Sequence, residues 1–372
     1  MIALLALVIL LAAPNTPPAP PAASPQGEVE SLLSLHGFGQ PVHDTALDRV
    51  ASRLAERLGG APNDPLPPGA ADFLAFYLAE AQISDAQVFP FTLRHRRFAD
   101  FADRLPAHLG HLDRTKPPTA YGLATFVKGG NLTTTLLLAH RAVQLRQPLP
   151  RQSEVGGYVT VEGDLLRGYF RPRILVSPPN GGRIRERPAW TAERNVDATL
   201  DFDEGPGVYG VEVVADSQYG PVVLNNAEIY VGVPVPELPV SHLDPGVGPG
   251  PADLALLRII NEQRAANGVP VLRLWPELAA VAQDYAVELD AAHVLVHATA
   301  ASGNLTTRLQ TRGLRFTQAA ENLADAGSPR QALAAFLASP GHKRNLLDPT
   351  WTHVGIGVLG RYYVVAMVRL AP

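Results

Sequence analysis

Two histidines and one glutamate near the carboxyl end of the chain are the residues best suited to chemistry. His297 follows a predicted helix, Glu321 lies in a predicted loop over 320–324, and His353 opens a predicted strand. Two imidazoles and a carboxylate can coordinate a divalent metal such as Zn²⁺ and leave a position open for water or a ligand. The same groups could instead form a hydrogen-bonded proton-transfer network. The spacing alone leaves both alternatives open beside a purely structural role.

Other histidine motifs fit chemistry less well. His293 and His297 form a His-x-x-x-His pair, which a helix would place on one face. A metalloprotease helix needs glutamate directly after the first histidine, and Val294 stands there. His342 is expected to organise the turn of the Ser-Pro-Gly-His segment over 339–342. The sequence contains no Gly-x-Ser-x-Gly elbow and no phosphate-binding glycine loop.

The elements that must position these residues follow from hydrophobic spacing and capping signals. Asp253 is expected to cap the first helix and Gly268 to end it. Ser328 followed by Pro329 is typical of a helix entry. The predicted elements are, in chain order, helices over 254–267, 276–292 and 328–337 and strands over 354–358 and 362–370.

Five short motifs occur in one order between Asp253 and Gly357. They are Asn261-Glu262-Gln263-Arg264, His297-Ala298-Thr299, Ala320-Glu321-Asn322-Leu323-Ala324, Ser339-Pro340-Gly341-His342-Lys343-Arg344-Asn345-Leu346-Leu347 and Thr352-His353-Val354-Gly355-Ile356-Gly357. This series resembles the bacterial branch of the CAP superfamily (cysteine-rich secretory proteins, antigen 5 and pathogenesis-related class 1 proteins; the SCP-like domain). The resemblance covers the last third of the chain.

The resemblance implies a three-layer α-β-α sandwich whose cleft gathers two histidines and two acidic residues. By position, His297 and His353 match the histidines and Glu321 matches the first carboxylate. The second carboxylate is not evident, since the segment 336–339 stands in its place. Phe336 also replaces the usual tryptophan and Ala320 the usual glycine. We therefore expect a cleft reduced to three polar ligands, able to hold a divalent metal such as Zn²⁺.

The remainder of the chain predicts a multidomain protein. Residues 1–27 combine an apolar run over 2–13 with a proline- and alanine-rich tether, and 28–147 form a helical α/β region with predicted helices over 45–58 and 70–81. Residues 150–235 have the short, regularly spaced strands of a β-sandwich, which we interpret as immunoglobulin-like. Residues 236–252 form a proline- and glycine-rich linker to the CAP domain over 253–372.

The first α/β region ends in a predicted β-hairpin that is similar to the end of the last domain. Two apolar runs flank Gly129-Gly130, a typical hairpin turn. The run over 121–126 resembles 354–358, which places Ala120 where His353 lies and gives no counterpart of Glu321. We interpret 28–147 as a degenerate CAP-like repeat that has lost the site and serves as a scaffold. Independent hairpins of the same pattern are the alternative.

Composition limits the classes of partner and the location. The chain has no cysteine, which excludes disulfides and thiolate metal sites, and its net charge of −4 gives no overall attraction to nucleic acid. The apolar run over 2–13 is too short to span a membrane and is typical of a signal peptide. We therefore predict export to an extracellular or periplasmic location in a bacterial envelope, with no transmembrane span in the mature chain.

Six arginines fall within the predicted sandwich. They are Arg167, Arg171, Arg173, Arg183, Arg185 and Arg187. They could line one face and bind an anionic envelope polymer, but a solvated face with scattered ion pairs is the favoured interpretation.

Two functions remain open at this stage. The first is a binding or interaction module whose cleft takes a divalent metal, a lipid, or a cell-wall or protein ligand. The second is a peptidase-like hydrolase in which Glu321 or a histidine acts as general base on metal-bound or free water. The missing second carboxylate and the absence of a nucleophile favour binding.

Overall fold

A computed structural model describes residues 24–62, 70–179, 183–190, 194–238 and 251–370. Contacts divide the chain into two compact units. One holds the described part of Leu5–Arg141, and the other holds Ala142–Val235 together with the described part of Asp244–Pro372. The apolar run over 2–13, and residues 239–250 of the predicted linker, lie outside the described residues.

The N-terminal unit is a four-stranded sheet with helices on both faces. Its elements are α1 (Pro25–Leu35), β1 (Val42–His43), α2 (Thr45–Arg57), α3 (Ala70–Glu80), β2 (Val88–His95), α4 (Phe98–Ala102), α5 (Leu105–Leu109), β3 (Ala120–Lys128) and β4 (Asn131–Ala139). The strand order is β1-β3-β4-β2, and only β1 and β3 run parallel. One core forms around Leu33 and Phe101 under α1, α4 and α5, and a second around Leu54 and Leu78 under α2 and α3.

The hairpin predicted at Gly129-Gly130 is present as β3 and β4. Lys128 pairs with Asn131, and the two glycines between them have φ angles of +57° and +77°. A two-residue loop with both φ angles positive twists in the same sense as the strands, which is why glycine is favoured there.

Residues Ala142–Val235, termed the sheet region, form two β-sheets around one core. Its strands are β5 (Val143–Leu145), β6 (Gln152–Ser153), β7 (Tyr158–Leu165), β8 (Phe170–Ser177), β9 (Arg185–Pro188), β10 (Asn195–Asp201), β11 (Gly207–Ser217) and β12 (Gly220–Val231). One sheet has the order β10-β7-β5 and the other β6-β12-β11-β8-β9. Buried side chains from both sheets, including Val161, Leu200, Tyr209 and Val211, belong to the same hydrophobic cluster.

Residues 251–370, termed the C-terminal region, form a three-layer α-β-α arrangement, as predicted. Its elements are α6 (Ala252–Ala266), β13 (Arg273–Leu274), α7 (Pro276–Ala292), α8 (Leu305–Thr311), β14 (Phe316–Asp325), α9 (Pro329–Ala338), α10 (Pro340–Leu347), β15 (His353–Leu359) and β16 (Tyr362–Leu370). The sheet order is β13-β15-β16-β14. Helices α6, α9 and α10 cover one face and α7 and α8 the other, each with its own core.

The two α/β parts of the chain share the same succession of elements. Each runs helix, strand, two helices, strand, two helices, and then a two-stranded hairpin. Each sheet places its short first strand parallel to the first hairpin strand, and the register sets Val42 against Ala120 as it sets Arg273 against His353.

A glycine brings the helix after the first strand close to the sheet in both parts. A Cβ on Gly355 would lie 2.2 Å from the carbonyl carbon of Leu278 in α7, and a Cβ on Gly122 would lie 2.4 Å from that of Leu47 in α2. Real Cβ atoms do not approach backbone this closely, so only glycine permits this packing.

Several predicted elements coincide with the structure and two details were wrong. Helix α7 has the predicted bounds, as does strand β16, and Ser328 accepts the Gln331 N–H as the cap of α9. Glu321, predicted in a loop, lies within β14, whose first half is exposed at the sheet edge and therefore carries polar residues without clear alternation. Asp253 is not a cap, because α6 begins at Ala252, two residues before the predicted start at 254, and its N-cap is Pro251.

Among the described residues, no helix has the length and apolar character needed to cross a membrane.

Candidate functional site

His297 and Glu321 lie in direct contact. His297 belongs to the loop between α7 and α8, and Glu321 points from β14 on the sheet face covered by those helices. His297 Nδ1 lies 3.0 Å from Glu321 Oε1. A carboxylate only accepts hydrogen bonds, so Nδ1 carries the proton and donates. In the neutral form of the ring, Nε2 of His297 then holds the lone pair, and it makes no hydrogen bond with any described residue.

Arg308 engages the second oxygen of Glu321. Its guanidinium forms a salt bridge with Glu321 Oε2, and both side chains are almost fully buried. Arg308 also donates to the Gly303 carbonyl at 2.7 Å and lies 3.4 Å above the ring of Tyr285. A buried carboxylate is costly unless a cation and hydrogen bonds compensate its charge, and Arg308 and His297 together supply both.

Tyr285 of α7 also helps to hold His297 and Glu321 in position. Its hydroxyl donates to the Val296 carbonyl at 2.6 Å, beside His297 in the chain. Burial raises the pKa of Tyr285, and the nearby Glu321 carboxylate adds to the effect. The phenol therefore stays neutral and fixes the start of the His297 loop.

His353 lies away from His297 and Glu321. The register pairs Glu321 with Ala366 and His353 with Val368 on β16, which runs between β14 and β15. The Cα atoms of Glu321 and His353 are thus separated by about 10 Å across the sheet alone. Of the three predicted site residues, the structure brings together only His297 and Glu321.

His353 opens β15 beside Thr352 and Trp275. Its Nδ1 lies 3.0 Å from Thr352 Oγ1, and its ring meets Trp275 edge-on at 6.2 Å between centroids. Burial lowers the pKa of His353, and the positive charge of Arg273 lowers it further.

The rival helix motif is excluded by the end of α7. His293 is its C-cap residue, with a φ angle of +52°, and His297 lies beyond it in the loop. The two histidines therefore do not share a helix face. Within the described ranges, no three histidine, aspartate or glutamate side chains are grouped closely enough to hold a metal ion.

His297 and Glu321 open onto a cleft of about 370 Å³ that has walls from two parts of the chain. The C-terminal region contributes His297, Asn304, Leu305, Thr306, Ala319, Ala320, Glu321, Ser339, Gly341, His342, Arg344 and Asn345. The sheet region contributes Arg173, Leu175, Glu186, Glu212, Val214, Pro221 and Val223. Both parts belong to the same compact unit.

Glu212 joins the two walls. Its buried carboxylate accepts the Ser339 hydroxyl at 2.6 Å and the Gly341 N–H at 3.0 Å, at the start of α10. This negative charge at a helix N-terminus also complements the helix dipole. Glu212 was not predicted as a site residue, although a lone carboxylate in the run Val211-Glu212-Val213-Val214 is the sequence signal of a buried polar group.

Further contacts hold the sheet region against the C-terminal region. Asn226 donates to the Ala338 carbonyl at 3.2 Å, Lys343 donates to the Ser177 hydroxyl at 3.3 Å, and Arg344 forms a salt bridge with Glu186. A Cβ on Gly220 would lie 3.1 Å from the His297 Cβ. The wall over His297 is therefore close and fixed.

His342 differs from its predicted role in the Ser-Pro-Gly-His turn. Its backbone N–H donates to Ser339 Oγ at 3.3 Å, but its ring makes no hydrogen bond with the described residues, and Nδ1 is buried without a partner. Burial lowers the pKa of His342 well below 6.5, and the nearby His297 lowers it further. The turn is organised by Ser339 instead, and His342 is one of the residues that line the cleft.

Four of the six arginines singled out in the sheet region form ion pairs. Arg171 and Arg173 contact Asp216, and Arg185 and Arg187 contact Asp201. These pairs agree with a solvated face of scattered ion pairs rather than a free cationic surface.

Comparisons with known proteins concern mainly the C-terminal region. The sequence model of the Cysteine-rich secretory protein family (CAP) matches residues 257–365. The uncharacterized protein YkwD of Bacillus subtilis (strain 168) is 24% identical over 103 residues, which are 27% of this chain and 40% of that protein. The uncharacterized membrane protein YlbC of the same organism is 29% identical over 115 residues, which are 31% of this chain and 33% of that protein. The chain thus spans less than half the length of either relative.

A solved structure covers a larger share of the chain at low similarity. It is an extracellular protein containing a SCP domain from Bacillus anthracis str. Ames, with 17% identity and a TM-score of 0.32 over 66% of this chain and 67% of that one. This TM-score is too low to establish a shared overall architecture.

Proposed function

Because the C-terminal region of this chain is a CAP domain, we propose that the protein binds a small ligand in the cleft at His297 and Glu321. The observation that carries the proposal is the fixed imidazole. Nδ1 of His297 is held by Glu321, while Nε2 is free at the wall of the cleft. An oriented, unpartnered lone pair of this kind is a ready acceptor for a ligand hydrogen-bond donor or for a metal.

The other side chains of the cleft favour binding over catalysis. Glu321 is engaged by both His297 and Arg308, so it is poorly placed to take a proton from water. The Ser339 hydroxyl already donates to Glu212, which removes it as an activated nucleophile.

Zn²⁺ is one proposed ligand of this cleft, and the donor atoms that the cleft offers fit it only in part. His297 Nε2 would be its ligand, with Glu321 orienting the ring as a hydrogen-bond acceptor. Because the Glu321 carboxylate is paired with the Arg308 guanidinium, it is disfavoured as a direct ligand of the metal. His353 lies across the sheet from it.

Hydrolysis is the second candidate, favoured by one observation. A histidine whose Nδ1 donates to a carboxylate, with Nε2 free, is arranged as in general-base catalysis. In that case His297 would take a proton from water or from a substrate hydroxyl. A screen with chromogenic ester and peptide substrates should then show turnover that is absent in His297→Ala.

Calorimetric titration of Zn²⁺ into the full chain separates the two histidines. If the cleft binds metal, we expect saturable heat that is lost in His297→Ala and kept in His353→Ala, since only His297 faces the cleft. Loss in His353→Ala alone would contradict this assignment. An absence of heat in the wild type would exclude the metal form of the proposal.

We place the protein outside the cytoplasm of a bacterium, in the cell envelope. The apolar run over 2–13 supports export, because its length is typical of a signal-peptide core. Fractionation of cells that express the chain with and without residues 1–27 tests this. Equal amounts of both forms in the cytoplasm would contradict it.

The N-terminal unit, in this proposal, is a degenerate CAP-like repeat that serves as a scaffold. The shared succession of elements and the matching parallel pair support it. If the two sheets are aligned by their registers, Ala120 corresponds to His353 and Pro90 to Glu321. Neither residue can replace the polar group. We also keep the interpretation of the sheet region as an immunoglobulin-like sandwich, on the basis of its two sheets around one core.

A further inference from the structure

Every charged side chain that lines the cleft already has a partner. Glu186 lies between Arg173, at 3.2 Å, and Arg344. Glu212 accepts two hydrogen bonds from the start of α10, and Glu321 is paired with Arg308, which lies behind it. A charged ligand would find no unpaired opposite charge and would lose its hydration, which is costly.

Two imidazoles of the cleft have ring nitrogens without a hydrogen-bond partner among the described residues. His297 presents Nε2, and the ring of His342 makes no hydrogen bond with the described residues although it is buried. Burial favours the neutral form of His342, and a neutral imidazole offers one donor and one acceptor. A buried polar group without a partner is unfavourable, so a ligand that bonds to it gains affinity.

The sheet region supplies an apolar wall to the cleft, next to its charged lining residues Arg173, Glu186 and Glu212. The wall consists of Leu175 on β8, Val214 on β11, and Pro221 and Val223 on β12. Leu305, Ala319 and Ala320 extend the apolar lining on the side of the C-terminal region. No aromatic side chain other than the imidazoles lines the cleft among the described residues, so a sugar ring would lack a stacking surface.

We propose that this cleft selects neutral amphipathic molecules that carry a hydroxyl or a primary amide. The polar group bonds to His297 and His342, and the apolar part lies against Leu175, Val214 and Val223. This proposal rests on the proposed binding function and adds the chemical class of the ligand. It also assigns the sheet region a direct part in the site, since the C-terminal region alone would lack the apolar wall.

A matched series of three probes tests the class. Octanamide, octanoate and octylammonium share a chain length and differ in charge at pH 7. Each is titrated into the full chain, and the imidazole signals of His297 and His342 are followed by NMR with histidine labelled in the ring. We expect octanamide to shift both signals with a Kd of about 1 mM, and each ion to bind at least about tenfold more weakly.

Two variants on one strand test the wall. Val214→Thr keeps the side-chain shape and places a hydroxyl in the apolar wall, and Val208→Thr makes the same change at an exposed position of β11. We expect Val214→Thr to weaken octanamide about fivefold or more, and Val208→Thr to leave its binding unchanged. Equal effects of both variants would overturn the assignment of the wall.

The possible failures are distinguishable. If an ion shifts both imidazole signals as tightly as octanamide does, the cleft binds ligands but its selectivity for neutral molecules is refuted. If no probe shifts either signal up to about 10 mM, neither the ligand class nor a binding role for the two imidazoles stands.

Discussion

Replacement of Glu212 by methionine is the sharpest test of how the cleft is assembled. The change keeps the length of the side chain and removes both acceptors. It removes the acceptor of the buried Ser339 hydroxyl and of the part-buried Gly341 N–H, which donate to Glu212 over 2.6 and 3.0 Å. An unsatisfied buried donor costs about 1–3 kcal/mol and a part-buried one less, so we expect Glu212→Met to lower the free energy of unfolding by about 2–4 kcal/mol.

Glutamine at the same position should cost much less. Its carbonyl oxygen can accept from Gly341 while its amide donates to Ser339 Oγ, so one hydrogen bond is kept, the other is reversed, and the negative charge at the start of α10 and the acceptor of the Ser339 hydroxyl proton are lost. We expect about 1 kcal/mol for Glu212→Gln. The difference between the two variants separates the hydrogen bonds from the charge.

Tryptophan fluorescence during urea unfolding is a suitable assay. The chain has three tryptophans, Trp190, Trp275 and Trp351, and all lie in the unit that contains the cleft. The signal therefore reports on that unit and not on the N-terminal one. Glu228→Met is the matched control, because Glu228 is exposed on β12 and should change stability by less than about 0.5 kcal/mol.

A double-mutant cycle with Ser339→Ala checks that the effect arises from the named contact. The coupling energy between Glu212 and Ser339 should be about 1–3 kcal/mol, since the pair shares a buried charge-assisted hydrogen bond. If Glu212→Met costs no more than Glu228→Met, or if its effect simply adds to that of Ser339→Ala, the reasoning is refuted.

Three further predictions concern the same unit and the same assay. Arg308→Leu leaves the buried carboxylate of Glu321 without its cation and should cost about 3–5 kcal/mol, whereas loss of an exposed salt bridge costs about 1 kcal/mol or less. Since the pKa of His342 is lower in the folded chain than 6.5, the unfolded chain takes up a proton first as the pH falls. Stability should therefore decrease below about pH 6.5 by up to about 1.4 kcal/mol per pH unit, and His342→Asn should reduce that slope; an unchanged slope would contradict the assignment. Gly355→Ala places a Cβ 2.2 Å from the carbonyl carbon of Leu278 and should cost more than about 3 kcal/mol; a cost below about 1 kcal/mol would show that α7 can move away from the sheet.

The sequence predicted those parts of the fold whose signals are local. A capping serine followed by a first-turn proline was enough for the start of α9, and the glycine pair at the turn was enough for the β3–β4 hairpin. Strand β14 was missed because its exposed half does not alternate in polarity, and this put Glu321 in a loop.

Only those residues of the candidate site that belong to the ordered motifs could be predicted from the sequence. That order identified His297 and Glu321, which are bonded in the structure. It also selected His353, but the order of motifs does not specify the sheet register that separates His353 from Glu321. Arg308 and Glu212 carried no motif. Glu212 owes its role to contacts with Ser339 and Gly341, which lie far away in the sequence, and Arg308 owes its role to a salt bridge with Glu321, which no local pattern marks.

The span of the Glu212 contacts has a consequence for how the chain folds. Glu212 and Ser339 are 127 residues apart, and Glu212 and Gly341 are 129 apart. Closing so long a loop is entropically unfavourable until the segments at both ends are ordered, and contacts of this kind slow folding. We therefore expect the cores of the sheet region and of the C-terminal region to form first, with the junction between them closing last. Until it closes, the apolar wall of the cleft is exposed to solvent, and an intermediate with exposed apolar surface is prone to aggregate.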